Sequence, residues 1–100
     1  MDPKIARRRV IVRLTGRVQG VGFRYRVAEI AARFAVGGTV RNLRRAEALE
    51  IDCEGEPAEV ERFLSEVIAQ PPPLGRVDAV ERTNAEPRSL DSFAIAETAS

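Results

Sequence analysis

The chain has 100 residues, 44% of them apolar, with 16 basic and 15 acidic groups, a single cysteine and no histidine. That length supports one domain with one core; the lone Cys53 excludes an internal disulfide and a cysteine-based metal cage, and the lack of histidine removes the commonest metal ligand and general base. The net charge is only +1, yet residues 1–45 hold 12 of the 16 basic groups and just two acids, Asp2 and Glu29, so the first half is suited to an anionic partner.

No stretch approaches the roughly 20 consecutive apolar residues of a spanning helix. The start, MDPKIARRR, carries charges where a signal peptide places an apolar run, so a cytoplasmic protein with no membrane partner is expected. Arg7, Arg8 and Arg9 read as the end of a flexible, solvated basic tail over residues 1–9, ahead of a single domain over 10–100.

Val10, Val12 and Leu14 alternate with Ile11 and Arg13, which predicts a strand ending at Thr15 and Gly16. From Phe23 the period changes: Phe23, Val27, Ile30 and Phe34 line one helical face, with Gly37 and Gly38 as the stop. Thr39 to Leu43 and Leu49 to Glu54 are predicted to form a hairpin, the second strand placing Leu49, Ile51 and Cys53 on one side. A second helix follows Pro57, with Val60, Phe63, Leu64, Val67 and Ile68 on one face, and stops at Pro71 to Pro73. Arg76 to Thr83 and Ser92 to Glu97 supply two more extended pieces.

The order is βαββαβ with an additional short C-terminal strand. Two amphipathic helices must share one apolar cover, so the expected fold is α+β, a ferredoxin-like sandwich with a mainly antiparallel sheet and both helices on one face.

The segment GRVQGVGFRY, residues 16–25, joins the first strand to the first helix and holds three glycines that neither helix nor strand propensity explains. Glycine lets successive N–H groups turn inward, and the helix start adds the positive end of its dipole, so the loop can cradle an anion. The dinucleotide fingerprint would need glycine at Tyr25, and a Walker A lysine is missing. Arg24 can offer a planar fork to two phosphoryl oxygens, while Arg17 and Arg26 add a longer-range field. Taken alone, the glycines also suit a tight turn and Arg24 a surface ion pair.

The run GRVQGVGFR at residues 16–24 resembles the hallmark of the acylphosphatase family, and GTVRN at 38–42 and the Phe-x-Ile of Phe93 and Ile95 are similar to its further signatures. The resemblance implies a βαββαβ sandwich that splits acyl phosphates without a cofactor or metal. By position it places the phosphate-binding arginine at Arg24 and the water-orienting asparagine at Asn42. The backbone of Gln19, Gly20, Val21, Gly22 and Phe23 then lines the phosphate. Thr39 stands where the family usually has tryptophan, and Arg44 to Glu47 replace the usual Asp-Gly turn.

Acyl phosphates are activated anhydrides, so positioning and charge stabilisation suffice without a strong nucleophile. The expected ligands are a small acyl phosphate substrate and inorganic phosphate as product and inhibitor, with no nucleic acid and a monomeric state. Three alternatives remain open: a non-catalytic phosphate-binding ferredoxin-like module, the N-terminal unit of a carbamoyl-transferring hydrogenase maturation factor, and an RNA-binding sheet, which would want aromatic residues on its open face. Cys53 lies on the apolar stripe of its strand and reads as a buried small hydrophobe.

Overall fold

A computed structural model describes residues 6–100. The elements in chain order are β1 (Arg8–Arg17), α1 (Phe23–Ala31), β2 (Val36–Leu43), β3 (Ala48–Gly55), α2 (Pro57–Ala69), β4 (Arg76–Ala85) and β5 (Phe93–Ile95). One sheet runs in the order β4-β1-β3-β2-β5, antiparallel except for the parallel pair β2 and β5. The expected α+β ferredoxin-like topology with a short terminal strand is therefore present, and none of its helices is long and apolar enough to cross a membrane among the described residues.

Register explains the layering. Val10, Val12 and Leu14 stand opposite Cys53, Ile51 and Leu49, so all six side chains share one sheet face. They are buried there by Phe23, Val27 and Ile30 of α1 and Val60, Phe63 and Val67 of α2. The ring of Phe63 packs edge-on against Phe93 at 5.6 Å, which fastens the last strand to the helix layer. The opposite sheet face is polar, with ion pairs Arg9–Asp52 at 2.7 Å and Arg41–Glu50 at 2.8 Å where a nucleic-acid-reading sheet would carry rings.

Two expectations are corrected. The first helix does not reach Gly37 and Gly38 but ends at Ala31, where Arg33 and Phe34 donate N–H bonds to the carbonyls of Ile30 and Ala31 and tighten the last turn. Gly37 and Gly38 lie inside β2. Gly38 has φ +135°, and a Cβ there would collide with the backbone carbonyl of Asp52, so this glycine answers to the close passage of β3 and not to helix termination.

The second correction concerns the basic tail. Arg8 and Arg9 belong to β1, and Arg7 donates from Nε to Glu54 at 2.9 Å. Arg9 grips Asp52 through two bonds, at 2.9 and 2.7 Å, and also donates to the carbonyl of Glu86. Acids on β3 therefore hold arginines that a charge-run reading assigns to solvent; residues 1–5 of the expected tail lie outside the described residues.

Candidate active site

At one end of the sheet, β1 leads into α1 through residues 18–22. Val18 and Phe23 are both buried in the core, so the two ends of this loop are anchored. Between them Gly20 and Gly22 take φ +73° and +82°, and a Cβ at either would meet nothing within 4 Å. The glycines are thus required by left-handed backbone, not by crowding.

Gly22 is the N-cap of α1; it provides no side-chain cap, and no acid stands in the first helical turn. The first N–H to be used by the helix is that of Arg26, which donates to Gly22. From Gln19 to Arg24, no backbone N–H donates to an acceptor among the described residues. A run of unused donors at the positive end of a helix dipole has the chemistry to receive an anion.

Arg24 is half-buried at the second helical position and forms no ion pair among the described residues, which leaves its guanidinium available. Phe23, expected in the anion loop, sends its ring into the core and can offer the loop only its N–H.

Asn42 stands opposite Leu49 of β3, which stands opposite Leu14 of β1. Its side chain therefore lies on the helix-facing side of the sheet, at the end where the loop emerges. Its Oδ1 is buried and has no hydrogen-bond partner among the described residues. Leaving such an atom unpaired costs roughly 1–3 kcal/mol, a cost that structural packing alone does not explain. Its backbone carbonyl is occupied by the N–H of Ala99 at 2.9 Å.

Gln19 joins the two halves. Its Nε2 donates to the carbonyls of Leu43 at 2.9 Å and Ala48 at 3.1 Å, pinning the loop to the β2–β3 turn beside Asn42. Sequence reasoning placed Gln19 in the loop but missed this tie, because its acceptors are backbone atoms that carry no residue signature. Thr39, by contrast, alternates onto the open sheet face, away from Asn42.

Other reactive groups stand apart. Burial, aided by the charge of Asp52, pushes the Cys53 thiol up to about 12, so it is no nucleophile at neutral pH. Among the described residues no cluster of three or more His, Cys, Asp or Glu could hold a metal ion.

Fold and loop together define a ferredoxin-like α+β domain with an amide-lined loop and, at one sheet end, an arginine that has no ion pair among the described residues. The acylphosphatase family model matches residues 10–95, and the chain belongs to the acylphosphatase family. It is 42% identical over 87 residues to the acylphosphatase of Thermococcus kodakarensis, covering 87% of this chain and 93% of that protein. The crystal structure of acylphosphatase from Bacillus subtilis superposes with a TM-score of 0.82 at 30% identity, over 89% of this chain and 98% of that one. Full-length HypF, solved in a phosphate- and nucleotide-bound form, gives a TM-score of 0.84 at 30% identity over 94% of this chain but only 12% of HypF.

Proposed function

We propose that this protein hydrolyses acyl phosphates to carboxylate and inorganic phosphate, with Arg24 and the N–H groups of Gln19 to Arg24 holding the phosphoryl oxygens and Asn42 orienting the water. The observation that carries this reading is the run of N–H donors, unused among the described residues, that ends at an arginine with no ion pair among them. Family membership gives that receptor its substrate class.

The chemistry follows from the groups present. Arg24 supplies a fork of donors that matches two phosphoryl oxygens, and the amides strengthen their contacts as charge redistributes in the transition state. Water adds to phosphorus, the bond from phosphorus to the acyl oxygen breaks, and the carboxylate departs with the bonding pair in line with the attack. A side-chain amide is not a base, so Asn42 holds the water through its Oδ1 and the water's proton passes to a phosphoryl oxygen of the substrate. The leaving carboxylate is a weak base and needs no acid to protonate it, which suits a chain without histidine.

Inorganic phosphate, the product, occupies the same receptor and acts as a competitive inhibitor. The protein works as a cytoplasmic monomer that needs no cofactor. Hydrolysis of benzoyl phosphate in the presence of chelator tests the reading. Turnover that inorganic phosphate inhibits and Arg24→Ala abolishes is the expected result; a folded protein that binds phosphate yet turns nothing over is a non-catalytic binding module.

A further inference from the structure

We propose that the cavity flanking the loop is a subsite for the organic half of the substrate, and that Arg17 there selects short acyl phosphates bearing a second carboxylate on the acyl chain. This rests on the acyl phosphate reading above. The cavity measures about 270 Å³ and is lined by Gly16, Arg17, Val18, Gln19, Glu47 and Arg76.

Its position fits a leaving group. In-line displacement sends the acyl oxygen away from the attacking water. Asn42 is on β2, whereas Arg76 opens β4, and the sheet order sets β3 and β1 between them. The cavity runs beside the loop from Arg76 of β4 to Glu47 of the β2–β3 turn, and Gln19, whose N–H belongs to the proposed phosphoryl receptor, also lines it, so an acyl group leaving phosphorus has a way into it.

Its lining sets the chemistry. Val18 is buried in the core, the Gln19 amide is spent on Leu43 and Ala48, and Arg76 is held by Asp78 through bonds of 2.7 and 3.1 Å. That leaves Arg17 and Glu47, both exposed and neither in an ion pair among the described residues. A carboxylate at the end of a short chain meets the Arg17 guanidinium as a two-pronged partner. Glu47 repels the same carboxylate and caps the preference. A volume below the roughly 300 Å³ at which pockets begin to enclose drug-sized ligands suits a chain of a few carbons.

The test compares kcat/KM for succinyl phosphate and butyryl phosphate, which share a four-carbon chain and differ by the terminal carboxylate. The native protein is expected to prefer succinyl phosphate, less so as salt is added. Arg17→Gln should lower the ratio roughly 3- to 5-fold, in the range of a partly exposed charge pair, and Glu47→Gln should raise it. Equal use of both substrates by the native protein, or a ratio indifferent to Arg17→Gln, overturns the subsite while leaving the hydrolase reading intact. If neither substrate is hydrolysed while benzoyl phosphate is, the subsite falls alone; if none of the three is hydrolysed, the hydrolase reading falls and the subsite with it.

Discussion

The side-chain amide of Gln19 donates at 2.9 Å to the carbonyl of Leu43, the residue that follows Asn42 in β2. The glycine loop and β2 are thereby fixed to each other by one side chain, whose second bond reaches Ala48 across the same turn. A loop built on left-handed glycines has many conformations in the unfolded chain, so such a tie matters for holding the amides in one array.

Gln19→Ala removes the bonds to the carbonyls of Leu43 and Ala48. Each such loss costs about 1 kcal/mol or more, so unfolding in urea should show a destabilisation of about 2 kcal/mol. Hydrolysis of benzoyl phosphate should fall by roughly 10-fold in kcat/KM as the amides lose alignment with Asn42. A variant with native kinetics would show that the loop holds its shape without the tie.

Arg24→Ala deletes a charged donor that no other side chain replaces. The expected loss of turnover is about 100- to 1,000-fold, the usual effect of removing a preorganised charge-stabilising group. Inhibition by inorganic phosphate should weaken in parallel, because the same fork holds the product. Arg24→Lys keeps the charge without the fork and should recover only a small part of the activity.

Asn42→Ala separates catalysis from binding. kcat should drop by at least about 10-fold while the phosphate inhibition constant changes little, since Asn42 is assigned to water and Arg24 to phosphate. Stability should stay within about 1 kcal/mol of native or rise, because the deleted Oδ1 has no partner among the described residues to lose. Strong destabilisation would instead mark Asn42 as a structural residue.

At the other end of the sheet, Glu54 is fully buried and accepts from Arg7 and from the N–H groups of Arg88, Ser89 and Leu90. Burial by itself would push its pKa up, but the Arg7 guanidinium and the three N–H donors outweigh it and hold the carboxyl down at about 2. A carboxyl depressed on folding contributes stability above its unfolded value of 4.5, and that contribution fades as pH falls from there toward 2. Urea titrations should therefore show the native protein losing on the order of 3 kcal/mol over that acidic window. Glu54→Gln should be destabilised at neutral pH and should show a flatter acid limb. An identical limb would mean that another carboxylate governs acid unfolding.

Much of the architecture was legible in local pattern. The alternation of Val10, Val12 and Leu14 and the helical spacing of Val60, Phe63, Leu64 and Val67 report which face is buried, because period and burial are linked along a single element. The glycines at 20 and 22 and Arg24 marked the loop as a candidate anion receptor, since backbone freedom and a guanidinium are properties of the residues themselves. Gly37 and Gly38 misled, because a glycine that permits the close passage of a neighbouring strand reads, in isolation, like one that ends a helix. Arg7 to Arg9 misled for a related reason: their acidic partners, Glu54 and Asp52, lie more than 40 residues away.

The sequence by itself determined most of the elements, the apolar stripes, the glycine loop and the guanidinium beside it, all of which follow from side-chain chemistry and short-range spacing, whereas Asn42 was marked only by the family resemblance of GTVRN. Only the tertiary structure decided that β1 lies between β3 and β4, that Asn42 turns toward the helices at the loop's end of the sheet, and that Gln19 reaches two carbonyls of the β2–β3 turn. Those choices depend on which distant surfaces bury one another and on backbone acceptors that every residue carries, so no local pattern distinguishes them.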